Sequence, residues 1–522
     1  MQNKIINLNA IQNEIKNQNY QKAEKLLLIL KEKNNDNQDI LFLLGFTCLK
    51  QSKFLYAEDY FKKLLVINKN HIEGAFQLAL CLRAQKKLDE ALSLLENFQS
   101  LEKNNIFLTL IGNIYRDLGL LDKAAFNVNK AIQLNSNFDG SKLALANILA
   151  DQQKYEEAKN LLSELIKANN QGAIINLSYI LIEQGLYLEA KNLLNDFLNK
   201  KNYHHQALFN LGLVHLSLNE FDQGWAYYEN RFFLHQYHIS KQVLNSIKKP
   251  RWAHEHKRAR ILIWGEQGIG DQILFSNYID NIEGDFEKIY LAVTEKLIPF
   301  FKTLYPYIEV IGLKSLPNEN AYDYHIPLSS MGFYFHNRLT DKSQNILNNN
   351  LNSNQIVSKK KKLRCGISWL SDSGLTKQKK SINLNLFTNI FQLDDVEFIN
   401  LQYTDESKSI LKLENELNKK IFLEHDIDCF DDIPGLATLI KSCDLIVTVS
   451  NSNAHIAGRL GVATCLLLPQ YAGVFWYWQD TNKNSFFYPS IEYYKQEQQG
   501  NWDIPIKRIQ LKINKLIENS KH

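Results

Sequence analysis

Small residues recur along the first 235 residues at a near-constant step, with apolar residues at fixed offsets from them. Ala23, Ala57, Ala91, Ala124, Ala158, Ala190 and Gly224 stand 34, 34, 33, 34, 32 and 34 residues apart. Twelve residues before each of the last six lies a second small residue: Gly45, Ala79, Gly112, Ala146, Ser178 and Gly212. Tyr20, Phe54, Leu88, Leu121, Tyr155, Tyr187 and Phe221 precede the first series by three. Two small positions in each unit of ~34 residues predict paired antiparallel helices that touch closely there. The pattern changes near residue 258. Short apolar runs then alternate with helix-like segments, which predicts parallel strands joined by right-handed crossovers.

The run Ile261-Leu262-Ile263-Trp264 reads as a strand covered on both faces. Gly265-Glu266-Gln267-Gly268-Ile269-Gly270-Asp271 follows as a glycine-rich turn and helix start. Gly265, Gly268 and Gly270 are expected to supply positive φ and room for a close ligand. Asp271 is expected at the helix N-cap. Further strands are predicted at 288–293 and 308–313, after which this half is expected to fade through residues 323–328. A second series begins with strands at 363–370, 396–403, 421–425, 444–450 and 463–469, alternating with helices. A terminal helix is expected over 506–519. Ser450-Asn451-Ser452-Asn453-Ala454-His455 closes one strand and opens a helix. Free backbone N–H groups and the helix dipole make such a place suited to an anion such as a diphosphate. His455 alone would read as a packing histidine; Ser452 and Asn453 beside it favour ligand contact.

The expected organisation is a repeat array over 1–235, a linker over 236–257, one α/β half over 258–357 and a second over 358–522. Pro250-Arg251-Trp252, His254 and His256 lie in the linker, and the two histidines have no further ligands at metal spacing. Lys359 to Lys362 read as solvated linker rather than a phosphate site. The last repeat departs from the pattern over Phe221 to Arg231; its aromatics are expected to pack against the next domain, with Trp225 at the junction. The aromatic segment Phe475 to Trp478, with Trp502, either lines a cleft or packs the terminal helix; the residues do not choose between them.

Net charge is only +4 over 522 residues, which excludes a nucleic-acid binder that works by bulk charge. The six cysteines are scattered without a Cys-x-x-Cys pair, and most sit in apolar runs, as buried free thiols do. No stretch approaches the ~20 apolar residues of a membrane span, and no leading segment reads as a signal peptide. A cytoplasmic protein is expected.

The small-residue register resembles the tetratricopeptide repeat over about residues 10–235. Such stacks bury a shared core and present a groove that binds a protein or peptide, or they serve as a rigid scaffold or self-association surface. The glycine-rich turn resembles the N-terminal signature of the heptosyltransferase-like glycosyltransferases of family 9, especially bacterial members fused behind such repeats. Ser450 to Gly461, Gly366-Ile367-Ser368-Trp369, Asn400-Leu401-Gln402 and the aromatic tail resemble that family in order. The resemblance implies a GT-B fold, two Rossmann-like halves facing a cleft, with a nucleotide-diphosphate sugar in the C-terminal half. It implies an inverting enzyme that needs no metal and no other cofactor. Asp271 matches the family's general base. Lys379 and Lys380 are equal candidates for the basic residue that offsets the diphosphate. Ser450, Asn451, Ser452, Asn453 and His455 would hold the donor beside the turn Gly265, Gln267, Gly268 and Gly270. Two residues depart from the pattern: Asn451 stands where relatives carry Asp, and Arg459 where a small residue is commoner.

Two other classes remain. One is a repeat adaptor whose α/β body binds nucleotide without turnover or is vestigial. The other is a nicotinamide oxidoreductase, disfavoured because Gly-x-x-Gly-x-Gly-Asp is not Gly-x-Gly-x-x-Gly and no acidic ribose reader follows.

Overall fold

The structure, a computed structural model, describes residues 8–98, 103–200, 203–234, 243–253, 258–282, 284–339, 362–371, 377–423, 425–478 and 485–521. Its helices begin as pairs: Leu8–Lys16 with Tyr20–Lys33, Gln38–Lys50 with Phe54–Ile67, Ile72–Ala84 with Leu88–Glu96, and Asn105–Asp117 with Leu121–Leu134. Asp139–Asp151 with Tyr155–Lys167, Gln171–Glu183 with Tyr187–Lys200, and His205–Ser217 with Phe221–Tyr228 complete them. The recurring small residues sit where paired helices touch. Ala57, Ala79, Ala91, Ala124, Ala146, Ala158, Ser178 and Ala190 are fully buried. A Cβ added at Gly112 would stand 2.4 Å from Val128 Cγ2, so the glycine sets the distance of approach. The turn inside each pair carries one left-handed residue: Gln18, Ser52, Lys86, Gly119, Gln153, Gly185 and Asn219. Glycine occupies only two of these, so elsewhere the packed helices impose the conformation on side chains that resist it.

Two compact units divide the chain, Met1–Ile180 and Leu181–His522. In the first, ion pairs connect successive repeats at nearly constant spacing. Lys53 reaches Glu24 at 2.6 Å and Lys87 reaches Glu58 at 2.8 Å. Arg83 meets Asp117 at 2.6 Å and Arg116 meets Asp151 at 2.5 Å.

The second unit carries the end of the repeats and two parallel sheets. The first sheet comprises β1 (Arg260–Trp264), β2 (Lys288–Val293), β3 (Glu309–Gly312) and β4 (Tyr324–Pro327), in the order β3-β2-β1-β4. The second comprises β5 (Leu363–Ser368), β6 (Val396–Asn400), β7 (Phe422–Leu423), β8 (Leu445–Val449), β9 (Thr464–Leu468) and β10 (Ile491–Lys495), in the order β10-β9-β8-β5-β6-β7. Every pairing is parallel. Strand order reverses between β1 and β4 and between β5 and β8. Ligands of open parallel sheets bind at such reversals, outside the carboxyl ends of the strands.

Several expectations are corrected. The first half does not fade at residues 323–328: Tyr324–Pro327 pairs with β1, and residues 331–339 form a helix with Met331, Phe335 and Leu339 buried. Part of the expected linker is structural. Trp252 is buried, stacks 5.5 Å from Phe335, and its N–H donates to the His325 carbonyl at 2.8 Å. The Asn-rich stretch over 340–358, Lys359 to Lys361, and His254 and His256 lie outside the described residues. The terminal helix is longer than expected, Asp503–Lys521, and Trp502 packs in the core it shares with the second sheet. All six cysteines are buried and free.

Candidate functional site

Each segment singled out in the sequence follows the carboxyl end of a strand at a reversal. The glycine-rich turn follows β1, Lys379 and Lys380 follow β5, and Ser450 to His455 follow β8. The helices opened by the first and third segments, Ile269–Phe275 and Ser452–Arg459, pack together. A Cβ on Gly270 would lie 3.0 Å from His455 Cδ2 and 3.4 Å from its Nε2. The two turns, 185 residues apart in sequence, therefore meet.

The glycines act by size rather than handedness: none of Gly265, Gly268 and Gly270 is among the positive-φ residues. A Cβ on Gly265 would press into the Gln272 side chain at 2.6 Å. That side chain fixes the turn, donating to the Gln267 carbonyl and the Thr294 hydroxyl at 2.8 Å and accepting from Thr294 N–H at 3.0 Å. Gln267 donates to the Tyr228 hydroxyl at 2.9 Å. Asp271 is not the N-cap. Gly268 caps the helix without a side-chain bond, and Asp271 is third in the first turn, where its carboxylate turns back toward Gly268.

Asp271 is half-buried. Burial pushes its carboxyl up to about 6, against the opposing pull of the Gly268 N–H and the Lys380 charge. Burial lowers the Lys380 ammonium to about 8, opposed by Asp271 and Glu183. That ammonium lies 4.6 Å from the centroid of the Phe475 ring. Burial and the Lys380 charge together depress His455 to about 3, so this histidine is neutral at physiological pH. Its ring stacks on Trp478 at 4.9 Å, and Nδ1 lies 3.2 Å from the Tyr488 hydroxyl. The structure thus brings a carboxyl, an ammonium and a neutral imidazole from three loops into one electrostatic neighbourhood.

The two equal lysines are separated. Lys379 Nζ bonds Glu183 of the repeat helix at 2.6 Å, whereas Lys380 interacts with Asp271.

Internal bonds occupy much of the second turn. Ser450 Oγ accepts from Trp478 Nε1 at 2.9 Å. Asn451 is the N-cap of the helix, its Oδ1 accepting from Asn453 N–H at 3.1 Å and Ala454 N–H at 3.4 Å. Its Nδ2 donates to Ser368 Oγ and to the Leu370 carbonyl, each at 3.1 Å. An aspartate has no such donor, which explains the asparagine here physically. Asn453 is fully buried and donates to the Leu401 carbonyl at 2.7 Å, while its Oδ1 has no partner among the described residues. Ser452 opens the helix and is half-buried. Arg459 closes the far end, with a two-pronged pair to Asp280 at 2.5 and 2.6 Å and a bond to the Tyr305 hydroxyl at 2.7 Å.

Residues beyond the motifs build the walls. Arg231, fully buried at the end of the last repeat, donates to Glu266 of the glycine-rich turn at 2.8 and 3.3 Å and to Ser330 Oγ at 2.6 Å. Its guanidinium lies 4.1 Å from the Phe232 ring centroid. Trp225 meets Trp476 edge-on at 5.3 Å, and a Cβ on Gly332 would stand 2.3 Å from the Trp225 ring. The last repeat thus packs on the α/β body, as its aromatics predict. Of the aromatic tail, Trp476 and Trp478 are buried in the core beside His455, and Trp502 packs with the terminal helix. Arg231 lay in the aberrant segment without a predicted role, and Glu183 carried no signal at all. Among the described residues, no group of three or more His, Cys, Asp or Glu side chains could hold a metal ion, and no helix is long and apolar enough to cross a membrane.

Residues 107–138 match the tetratricopeptide repeat family model. The chain is 25% identical over 329 residues to Protein FlbA of Caulobacter vibrioides, an alignment covering 58% of this chain and 54% of that protein. It therefore spans about half the length of the curated relative it matches. Among solved structures it is similar to MamA from Desulfovibrio magneticus RS-1, at 18% identity over 30% of this chain and 90% of that one, with a TM-score of 0.28. It is also similar to a tetratricopeptide repeat protein from Parabacteroides merdae, at 15% identity over 42% of this chain and 89% of that one, with a TM-score of 0.38. The chain carries tetratricopeptide repeats, and they run on into a region of parallel sheets.

Proposed function

We propose that this protein is a glycosyltransferase that moves a sugar from a nucleotide-diphosphate donor to a hydroxyl on a protein or glycan. One observation carries the reading: Asp271, Lys380 and His455 converge at the strand-order reversals of two parallel sheets. In the proposed step, the Asp271 carboxylate takes the proton of the acceptor hydroxyl as that oxygen attacks the anomeric carbon. The bond from that carbon to the diphosphate breaks, and the nucleoside diphosphate leaves with both electrons. Lys380 offsets its charge. A carboxyl pushed up to about 6 is a stronger base than an exposed one and is still ionised at neutral pH. Tetratricopeptide repeats bind protein segments, and here they would present the acceptor or a partner that delivers it.

The adaptor reading draws on a different observation. Ser450, Asn451 and Asn453 already spend hydrogen bonds internally, which leaves fewer groups for a donor. Incubation of the full chain with UDP, GDP, ADP and dTDP sugars separates the two. Saturation at ~100 times the dissociation constant adds ~2.7 kcal/mol of stability, visible as a melting shift. Under the transfer reading, one donor shifts the melt and releases its nucleoside diphosphate, and Asp271→Asn keeps the shift but stops the release. A shift without release in the wild type, with co-purifying proteins supplied as acceptors, favours the adaptor. Release that survives Asp271→Asn removes Asp271 as the base.

A further inference from the structure

Two adjacent buried lysines follow β5, and the repeats take hold of one of them. Glu183, the last residue of the helix Gln171–Glu183, bonds Lys379 Nζ at 2.6 Å, with both side chains almost fully covered. A second contact fixes the same place independently. Gly185, two residues on and left-handed, lies so close to the loop after β9 that a Cβ there would stand 2.4 Å from the Tyr471 ring. That loop in turn runs under the lysines: a Cβ on Gly473 would lie 3.1 Å from Lys380 Cγ and 3.2 Å from Lys379 Cβ. A turn of the repeat array is therefore part of the wall behind the candidate site.

We propose that Glu183 is a positioning residue of the anion site. By holding Lys379 back against the repeats, it leaves Lys380 as the ammonium that faces Asp271 and an incoming diphosphate. The proposal rests on reading this place as an anion site, not on sugar transfer itself. The charged and titratable groups around Lys380 are Asp271 after β1, Glu183 of the repeat, its neighbour Lys379, and the neutral His455 after β8. Lys495 lies beyond, over the Tyr471 ring at 5.0 Å. Removing the Glu183 charge takes a stabilising anion from Lys380 and from the neighbouring Lys379. Both effects disfavour the Lys380 ammonium. Removing the Lys379 charge does the reverse, because a neighbouring cation is lost while the Glu183 charge remains.

The test is the titration of Lys380 in the full chain without ligand, followed through its side-chain 13C resonance, which is assigned by its loss in Lys380→Arg. The expected midpoint in the wild type is about 8. Glu183→Gln lowers it by about half a unit or more, and Lys379→Gln raises it by a similar amount. The double variant returns it close to the wild-type value. A junction that merely loosens would move every variant upward, toward the ~10.4 of a solvated lysine. Two shifts of the same sign, an unmoved midpoint in Glu183→Gln, or a double variant that follows Glu183→Gln would each overturn the proposal. No sugar donor enters the measurement, so the transfer reading can fail while this one stands.

Discussion

Replacing Trp225 by alanine removes the largest side chain that joins the last repeat to the α/β body. Trp225 is 1% exposed and touches Phe275, Tyr278 and Trp476 edge-on at 6.0, 6.1 and 5.3 Å. A buried tryptophan covers ~200 Å² or more, which at ~25 cal/mol per Å² is worth about 5 kcal/mol. That figure is an upper bound, because unfolded chains already bury part of the same surface. A second discount comes from the ring itself: Nε1 is buried without a partner among the described residues, a penalty of about 1–2 kcal/mol that alanine relieves. The net cost is about 3 kcal/mol. In the unit Leu181–His522, at ~2 °C per kcal/mol for a large domain, that is a drop of about 6 °C by calorimetry. Trp225→Phe keeps most of the apolar area and removes the unpaired N–H, so it costs less than ~1.5 kcal/mol. The alanine variant also becomes more sensitive to limited proteolysis between residues 243 and 253. A melting drop below about 2 °C with unchanged proteolysis, or a phenylalanine variant as damaged as the alanine one, would refute the reasoning.

Under the proposed function, sugar transfer should follow a bell-shaped pH profile. It rises as Asp271 ionises through about 6 and falls as Lys380 discharges through about 8; a flat profile across pH 6 argues against Asp271 as the base. The same carboxyl has an inverted stability linkage. Its folded value lies above the ordinary ~3.9, so the fold favours the neutral form and loses stability as pH rises from about 4 through about 6. Melting curves should accordingly show Asp271→Asn more stable than wild type at pH 8 and no different at pH 4. Asn451→Asp should destabilise the second turn. It sets a carboxylate against the Leu370 carbonyl and removes the donor to Ser368, a cost of about 2 kcal/mol readable by denaturant titration; a neutral or stabilising effect would contradict the role assigned to the amide.

The repeats were legible because their signal is periodic. A helix pair needs small residues where it crosses, and Ala57, Ala91 and Gly112 recur for that reason wherever the chain places them. The strands β2 and β8 were legible for a similar local reason: a strand covered on both faces needs an unbroken apolar run. Tyr324-His325-Ile326-Pro327 lacks such a run, and only pairing with β1 makes it β4. The left-handed turn residues Gln18, Ser52, Lys86, Gln153 and Asn219 are likewise invisible in sequence, because their conformation comes from the helices packed on either side.

The candidate site divides the same way. The sequence singled out the segments that the fold brings together, since glycines, an aspartate and a run of hydrogen-bonding residues sit directly after apolar strands. It did not separate Lys379 from Lys380, distinguish a capping Asn451 from a ligand-binding one, or give Arg231 and Glu183 any role. Those assignments depend on partners 196 residues away for Lys379 and Glu183, 35 for Arg231 and Glu266, and 81 for Asn451 and Leu370. Electrostatics and hydrogen bonding act over a few ångströms of space whatever the distance along the chain. Where the partner is local, sequence alone determined the outcome; where the fold supplies the partner, only the tertiary structure decided it.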